Sequence, residues 1–400
     1  MTTHLAAILP SKNTPFTLRS RPTPTPGPGE LLIAVKSVAL NPADTIMRSH
    51  GLFIQSYPTV IGFDISGLVI DVGEGVPVPS IKTDGGEGPV FEAGVTRVAA
   101  YAAAAWRSCH PDYGAFQEKC LVPWEHAVPI PDYGERGSLS WNEAATLPVA
   151  VQVPLSAWDA LGIPRMGDKP VPSAKSNNSG SIDSNNGHKR SALLIWGASS
   201  SVGTMGVQTA RLLRDDQNSP FAAVYATAGA VNHSYIRSLG ADRVFDYKDP
   251  NVVEDIVAAA REDGVMVKHC FLAVGQLAQC RAVLEAFLRE ELGESEKHET
   301  SKIASAPPIP ADAEVSDGVD IIFVQPSMDS EAERLAQFRY WMGTWLRKSL
   351  EMKTIKPSAE IRIVGRGLET LNAGLDELLG GVSCTKLVVE VAKNPKKEAE

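Results

Sequence analysis

Hydrophobic and polar positions alternate in short runs over the first 150 residues, and Gly and Pro separate these runs. The clearest runs span 30–40, 65–72 and 97–101. A period of two places successive side chains on opposite faces of a strand. The pattern therefore predicts a compact β domain in this part of the chain.

From residue 192 onward, apolar runs alternate with stretches of helical periodicity. The apolar runs span 192–196, 222–227, 242–246, 267–272 and 319–324, and the helical stretches span 202–214, 231–239, 252–262, 278–290 and 331–350. Such alternation is typical of parallel strands joined by crossover helices. We therefore predict an α/β protein whose second domain is a doubly wound parallel sheet of the Rossmann type.

The last part of the chain returns to a strand pattern. A helix-like stretch at 368–379 is followed by Gly380-Gly381 and by an apolar run at 386–391. A final strand after a parallel domain can rejoin an N-terminal β domain. The predicted domains are accordingly 1–150 with 360–400, and 151–359.

Two segments of the second domain look inserted. Residues 172–191 are rich in Ser, Asn and Gly, and residues 290–317 combine a charged run with Ala-Pro-Pro-Ile-Pro. Both have few apolar residues to offset the entropy lost on ordering, so we expect flexible surface loops. The charged tail, 394–400, is expected to fray.

Composition narrows the function classes. The 400 residues are 44% hydrophobic, and the formal net charge is −9. The sequence has no stripe of basic residues that could bind nucleic acid or an anionic membrane, so neither partner is expected. The sequence contains no run of about 18 apolar residues, so no membrane helix is predicted, and the N-terminus lacks a secretory-signal pattern. Five cysteines without a Cys-x-x-Cys pair fit a reducing compartment. We expect a cytoplasmic protein, either a monomer or a homodimer.

The turn at 197–203 reads Gly-Ala-Ser-Ser-Ser-Val-Gly and lies between an apolar run and a helical pattern. Small residues there let backbone N–H groups and a helix N-terminus approach a pyrophosphate. Gly197 and Gly203 flank Ser200 at spacings of three, so the usual Gly-x-Gly form is only partly kept. The pattern predicts a dinucleotide site, and the alternative is an ordinary tight turn.

The second strand of this domain lacks the acid that selects NAD(H). It ends in Thr227-Ala228-Gly229, where an NAD enzyme has an Asp or Glu for the ribose 2′-hydroxyl. Without that carboxylate a 2′-phosphate is not repelled, so NADP(H) is the expected cofactor. Asn232, Tyr247 and Lys248 are candidates to bind the phosphate, and the alternative for each is an ordinary surface or turn residue.

Several motifs along the chain match one enzyme superfamily. They are LNPADTIM at 40–47, GFDISG at 62–67, GAFQE at 114–118, the turn at 197–203, LGADRVFDY at 239–247 and KLVVE at 386–390. Together they resemble the zinc-independent branch of the medium-chain dehydrogenase/reductases. Within that branch of quinone and enoyl reductases, the chain is similar to the fungal trans-acting enoyl reductases that partner polyketide synthases.

The resemblance implies a GroES-like β domain around an inserted Rossmann domain, with the nicotinamide in the cleft between them. It implies cofactor-binding roles for Asp44, Thr45 and Ile46 near the nicotinamide; Ser199, Ser200, Ser201, Val202 and Gly203 near the phosphates; Gly229, Asn232 and Tyr247 near the adenosine 2′-phosphate; Val274 and Gly275 near the nicotinamide ribose; and Leu387 and Val388 closing the pocket. It also implies that Phe53, Thr146, Leu147 and Pro148 line the substrate pocket.

Departures from the family pattern matter as well. Asn41 and Gly62-Phe63-Asp64 stand where zinc-dependent relatives have a Cys and a Gly-His-Glu segment, so no metal is expected. Phe53 stands where some relatives have a Tyr that can donate a proton, and it either shapes an apolar pocket or is an ordinary core residue. Ile46 and Gly229 replace a Lys and a Ser that are common in the family.

These motifs do not identify the catalytic residues. Asp44 and Thr45 are the nearest polar candidates, but Asp44 follows Asn41-Pro42, and the favoured interpretation is that it caps the helix that begins there. The 146–148 segment can also be a plain interdomain hinge. The leading hypothesis is an NADPH-dependent reductase of an enoyl thioester delivered by a polyketide synthase. The alternatives are a quinone or enone reductase of free small molecules, and a non-redox NADPH-binding protein.

Overall fold

The structure, a computed structural model, describes residues 2–79, 88–131, 138–166, 190–217, 219–291, 300–314 and 316–391. The chain forms two compact units. Unit 1 comprises Met1–Gln152 with Pro326–Glu400, and unit 2 comprises Val153–Gln325. None of the described helices is long and apolar enough to cross a membrane.

The elements follow one another in three groups. The first is β1 (Thr3–Ile8), β2 (Thr17–Pro22), β3 (Glu30–Ala39), α1 (Pro42–His50), β4 (Asp64–Val72), β5 (Arg97–Tyr101), β6 (Lys119–Pro123), β7 (Ala127–Pro129), α2 (Trp141–Ala145) and α3 (Pro148–Leu161). The second is β8 (Arg190–Trp196), α4 (Ser201–Asp215), β9 (Phe221–Thr227), α5 (His233–Leu239), β10 (Arg243–Phe245), α6 (Val252–Asp263), β11 (Val265–Leu272), α7 (Leu277–Glu291), β12 (Ser301–Ser305) and β13 (Val319–Phe323). The third is α8 (Glu331–Phe338), a π-helical segment (Arg339–Leu346), α9 (Arg347–Glu351), β14 (Glu360–Arg366), α10 (Leu371–Leu379) and β15 (Thr385–Glu390).

Unit 1 is built around β3. In the described residues its main sheet has the order β14-β15-β3-β4-β5-β7, with β6 also pairing with β3, and β1 pairs with β2 in a separate ladder. Strand β15 runs antiparallel to β3 and parallel to β14. The prediction that the last strand rejoins the β domain is therefore confirmed.

Unit 2 contains a parallel sheet, which confirms the predicted fold class. Its described strands have the order β10-β9-β8-β11-β12-β13, and all neighbouring pairs are parallel. The chain starts at β8, adds β9 and β10 on one side, and then crosses to β11 on the other. The carboxyl ends of β8 and β11 therefore form the switch point where such sheets bind ligands.

The prediction of a flexible loop over 290–317 is wrong for its middle part. Residues Ser301–Ser305 form β12, which lies between β11 and β13 in the sheet. Ile303 and Ala304 are fully buried there. Strands of parallel sheets usually read as continuous apolar runs, whereas β12 has only two apolar residues, Ile303 and Ala304, so its sequence carries no strand signal. Most of the other predicted loop, 172–189, and the tail, 394–400, lie outside the described residues, whereas 190–191 begin β8.

The domain boundary predicted at 359/360 differs from the division between the units, which falls after Gln325. The reason lies in aromatic packing by the segment after that position. The Phe338 ring stacks on His126 at a centroid distance of 3.7 Å, and Arg339 pairs with Glu125 at 3.0 Å. Trp341 is fully buried. These contacts hold α8 and the π-helical segment on the β-rich unit.

Candidate functional site

The turn at 197–203 in unit 2 requires glycine at both ends. Gly197 has a φ of +79°, and a Cβ there would lie 2.3 Å from the carbonyl oxygen of Val274. A Cβ on Gly203 would lie 2.3 Å from the carbonyl oxygen of Gly197. The strand end, the turn and the start of α4 are thus packed backbone to backbone. Such close packing of strand, turn and helix is the role that glycine has in dinucleotide-binding turns.

Ser200 is the N-cap of α4. Its Oγ accepts a hydrogen bond from the Gly203 N–H at 3.0 Å and donates one to the Gly197 carbonyl at 2.9 Å. The Ser200 hydroxyl is therefore committed to the turn. The N–H groups of Ser201 and Val202, in the first turn of α4, have no intrahelical acceptor and suit an anion. Ser199 is half-buried beside them.

Thr227, at the end of β9, supports this turn from the neighbouring strand. Its Oγ1 accepts a hydrogen bond from the Gly197 N–H at 3.0 Å, and its carbonyl accepts one from the Ala198 N–H at 2.8 Å. In the sequence analysis, Thr227 was considered only because the end of its strand lacks the acid that NAD enzymes have there. Its buried hydroxyl in fact fixes the backbone of the turn.

The candidates for the adenosine end lie past β9 and β10. Tyr247 is 42% exposed, and a Cβ on Gly229 would lie 3.9 Å from its ring. The Lys248 ammonium lies 5.8 Å from the centre of that ring. Asn232 donates its backbone N–H to the Gly229 carbonyl at 2.8 Å. The structure thus brings Gly229, Asn232 and Tyr247 to the same edge of the sheet as the turn.

Val274 and Gly275 follow β11, across the switch point from β9. Gly275 has a φ of +124°, and a Cβ there would lie 2.9 Å from Nε1 of Trp196. Val274 touches the turn through Gly197 and is half exposed. All predicted cofactor residues of unit 2 therefore lie at the carboxyl ends of neighbouring strands. Exposed apolar side chains and uncapped N–H groups at this edge fit a nicotinamide dinucleotide.

In unit 1, Asp44 lies at the start of α1 and is fully buried. It is the third residue of the helix, and its Oδ2 accepts the backbone N–H of the N-cap residue Asn41 at 2.7 Å. Burial raises the pKa of Asp44 to about 7, against the lowering effects of the Asn41 hydrogen bond and of Lys386. Its Oδ1 is buried without a hydrogen-bond partner among the described residues.

The two residues after Asp44 differ in environment. Thr45 is buried and donates its hydroxyl to the Pro42 carbonyl at 2.7 Å, which is a helix-internal bond. Ile46 is half-buried. Thr45 has therefore already used its proton within the helix, which makes it a poor donor to a ligand.

A buried polar network beside Asp44 was missed by the sequence analysis. The Lys386 ammonium donates to Asp64 Oδ2 at 2.9 Å and to Asn41 Oδ1 at 2.6 Å. The Asn41 side-chain amide donates to the same Asp64 oxygen at 3.0 Å, and the Val149 N–H donates to Asp64 Oδ1 at 2.8 Å. The sequence offered a signal, because Asn41 and Asp64 stand at the positions where zinc-dependent relatives bind metal.

This network lies on one face of the unit 1 sheet. Val388, Ala39, Asp64 and Tyr101 are directly paired across β15, β3, β4 and β5. Directly opposite residues of antiparallel strands project to the same face. Ala145, next to the predicted 146–148 segment, packs on Ala39 and Val388.

The predicted substrate and pocket residues of unit 1 are placed as follows. Thr146 and Leu147 are buried, and Thr146 donates its hydroxyl to the Glu143 carbonyl at 2.7 Å; Pro148 opens α3. Leu387 is buried and follows Lys386 in β15, so its side chain projects to the opposite face from Val388. The structure therefore brings Val388 and the 146–148 segment to the network, but not the Leu387 side chain.

The contacts described for Phe53 do not involve residues of this network. It follows α1 with a φ of +65°, its carbonyl accepts the Cys109 thiol at 3.2 Å, and its ring lies 6.3 Å from Trp106. The ring is half-buried. These contacts agree with both interpretations made from the sequence, an apolar pocket wall and an ordinary core residue.

In the part of the chain that the structure describes, no three His, Cys, Asp or Glu side chains are grouped to hold a metal ion. Asp64 forms an ion pair with Lys386, whose Nζ lies 2.9 Å from its Oδ2.

Comparisons with known proteins agree with this architecture. A family model for the alcohol dehydrogenase GroES-like domain matches residues 27–132. The trans-enoyl reductase tndF of Aspergillus flavipes is 37% identical over 390 residues, covering 96% of this chain and 98% of that protein. The trans-enoyl reductase tazE of Aspergillus terreus is 38% identical over 329 residues, covering 82% and 93%.

A solved structure is similar at the level of the fold. The CurK enoyl reductase aligns with a TM-score of 0.67 and 16% identity, covering 97% of this chain and 99% of that chain. The match in sequence to tndF over nearly both whole chains is what shows the family. This chain belongs to the trans-enoyl reductases, nicotinamide-dependent oxidoreductases of the medium-chain dehydrogenase/reductase superfamily.

Proposed function

We propose that the chain reduces the activated C=C bond of an enoyl thioester with NADPH, acting in trans with a polyketide synthase. The observation that carries the proposal is the glycine-bounded turn against the N-terminus of α4, at the switch point of a parallel sheet. The names of two relatives, both trans-enoyl reductases, support the reduction of an enoyl group by an enzyme that acts in trans.

NADPH is proposed over NADH for two reasons. The end of β9 has Thr227, whose hydroxyl is bonded to the turn, in place of a carboxylate that would repel a 2′-phosphate. Lys248 lies beside Tyr247 and adds a positive charge at the same edge. A 2′-phosphate would therefore meet no carboxylate at the end of β9, and the Lys248 ammonium would lie near it in the turn after β10.

The proposed roles follow from these positions. We assign Ser199, Ser200, Ser201, Val202 and Gly203 to the phosphates; Gly229, Asn232 and Tyr247 to the adenosine; Val274 and Gly275 to the nicotinamide ribose; Asp44, Thr45 and Ile46 to the nicotinamide; Leu387 and Val388 to the pocket wall; and Phe53, Thr146, Leu147 and Pro148 to the substrate. At the phosphates the ligands are mainly backbone N–H groups, because the Ser200 hydroxyl is already bonded within the turn.

The chemistry asked of the chain itself is limited. A bound nicotinamide supplies the hydride. The side chains must hold the substrate, exclude water and stabilise the negative charge that develops on the thioester oxygen. Asp44 is buried under its helix cap, so its proposed role is to shape the nicotinamide side of the pocket.

The test is a single-turnover assay with three acceptors. The purified chain is mixed with NADPH and an enoyl chain on a polyketide synthase carrier domain, the same enoyl chain on a short free thiol, or a quinone. We expect rapid loss of NADPH absorbance and a saturated product with the carrier-bound chain, and slower turnover with the free thioester. Turnover with the quinone alone would establish the quinone reductase alternative instead.

A further inference from the structure

Tyr101 ends β5 on the same sheet face as the buried network. It is the cross-strand partner of Asp64, which is bonded to Lys386 and Asn41. The Tyr101 ring is held by other rings, with centroids 5.5 Å from Phe63, 6.0 Å from His126 and 5.0 Å from Phe338. The direction of its hydroxyl is therefore fixed by packing.

The Tyr101 hydroxyl has no hydrogen-bond partner among the described residues, although the side chain is 94% buried. Buried tyrosines usually satisfy this group. The hydroxyl is also not one of the fully occluded unpaired polar atoms, so the small exposed part of Tyr101 includes it. A rigidly held phenol thus keeps an unused hydrogen-bond donor, slightly accessible to solvent, on the sheet face that carries the network.

The surroundings keep this phenol protonated. Burial, followed by the charges of Asp64 and Asp44, raises the pKa of Tyr101 well above its usual range. His126, on the other side of the ring, is buried, and burial lowers its pKa to about 3, so it is neutral. A phenol in this setting donates a hydrogen bond but does not readily give up its proton.

We propose that the Tyr101 hydroxyl donates a hydrogen bond to the carbonyl oxygen of the enoyl thioester and stabilises the enolate formed during reduction. The inference rests on the proposed function and deepens it. Hydride adds to the β-carbon, the C=C electrons move onto the thioester oxygen, and the α-carbon then takes a proton from water. Tyr101 keeps its proton throughout, and no bond to it is made or broken.

This assignment answers a question that the sequence left open. Phe53 stands where some relatives have a tyrosine and cannot donate. The Thr45 hydroxyl is bonded within α1, and Asp44 is occluded. Tyr101 is the free hydroxyl that remains on the network face of the described sheet.

The test is Tyr101→Phe, which keeps the ring and removes the hydroxyl. We expect kcat with the enoyl thioester to fall about 100- to 1000-fold, the range seen when one oxyanion donor is lost. The deuterium isotope effect on kcat with C4-deuterated NADPH should rise, because hydride transfer becomes limiting. The unfolding midpoint and the Kd for NADPH should stay as in the wild type. The matched control is Tyr57→Phe, which removes an unpaired but fully occluded hydroxyl and should leave kcat unchanged.

A second measurement does not depend on turnover. Infrared spectra of a carbonyl-labelled enoyl thioester bound with NADP⁺ should show a lowered C=O stretching frequency in the wild type, which returns toward the solution value in Tyr101→Phe. A variant that keeps kcat within twofold, or one whose C=O frequency equals that of the wild type, overturns the inference while the proposed function stands. A wild-type chain that reduces no enoyl thioester overturns both.

Discussion

Lys386 and Asp64 form an ion pair inside unit 1, with Nζ 2.9 Å from Oδ2 and side-chain exposures of 4% and 0%. Removing two charges from water is costly, and the pair is compensated because Asn41 and the Val149 N–H add hydrogen bonds. The pair joins the last strand of the unit to β4 and the start of α1. It therefore ties the C-terminal strand to the residues proposed to surround the nicotinamide.

Replacing one partner should be far worse than replacing both. Lys386→Met leaves Asp64 charged and unpaired in the interior, so we expect unit 1 to lose about 3–5 kcal/mol of stability, measured by denaturant unfolding. Adding Asp64→Asn to that variant should recover a large part of the loss. Lys348→Met, at an exposed lysine of α9, is the control and should change stability by less than about 0.5 kcal/mol. Equal effects of the two lysine variants would contradict a buried pair.

Asp44 should make stability fall as pH rises. An exposed aspartate titrates near 3.8, whereas burial raises the pKa of Asp44 to about 7. Between these values the folded chain holds one more proton than the unfolded chain, so stability falls by up to about 1.4 kcal/mol per pH unit. The stability that protonated Asp44 contributes to the folded chain is fully present below about pH 4 and is lost as the pH rises to about 7.

The measurement is the difference in unfolding free energy between the wild type and Asp44→Asn, from pH 4 to pH 8. We expect the difference to shift in favour of the variant up to pH 7 and to level off above it. Val95→Ala, at an exposed side chain that carries no titratable group, is the control and should change the unfolding free energy by the same small amount at every pH. A flat curve for Asp44→Asn would mean that Asp44 is ionised in the folded chain.

Features that depend on local patterns could be predicted from the sequence. The turn at 197–203 and the alternation of strands and helices in unit 2 each depend on residues close together in the chain. Strand β12 was missed because Ile303 and Ala304 are its only apolar residues, although Ser301 and Ser305 are buried with them.

The candidate site of unit 1 could be predicted only in part, since its partners are distant in sequence. Lys386 and Asp64 are 322 positions apart, and no local periodicity links them. The free hydroxyl of Tyr101 depends on what surrounds it in three dimensions. Similarly, α8 was predicted as a helix, but its place in unit 1 follows from the stacking of Phe338 on His126.

Gly197→Ala should damage the cofactor site more than its backbone strain alone explains. A left-handed φ costs a non-glycine residue about 1–2 kcal/mol, and at Gly197 the new Cβ would also meet the Val274 carbonyl at 2.3 Å. The matched control is Gly264→Ala, with a φ of +65° and open space around the Cβ. We expect a clearly larger drop in unfolding midpoint for Gly197→Ala, and at least about tenfold weaker NADPH binding. Similar losses in both variants would show that the turn can relax.

Lys248 should discriminate between the two nicotinamide cofactors. Lys248→Met keeps the aliphatic stem beside Tyr247 and removes the charge that we propose faces the 2′-phosphate. Loss of one exposed charge contact corresponds to about 1 kcal/mol, or roughly fivefold in Kd. Fluorescence titration should show weaker NADPH binding with the Kd for NADH unchanged, so NADH is the internal control. Equal weakening for both would place the effect away from the 2′-phosphate.

Substitutions of Ser200 can distinguish its role in the stability of the turn from the role of the turn in binding the cofactor. Asp and Asn are both good N-caps, so Ser200→Asp and Ser200→Asn should each keep the hydrogen bond to Gly203. Only Asp adds a negative charge at the N-terminus of α4, which stabilises the helix by about 0.3–1 kcal/mol but repels a pyrophosphate. We expect Ser200→Asp to raise the unfolding midpoint slightly and to weaken NADPH binding at least about tenfold, while Ser200→Asn binds within threefold of the wild type. Stability and affinity then move in opposite directions, which misfolding cannot produce. Equal Kd values for the two variants would mean that the phosphates bind elsewhere.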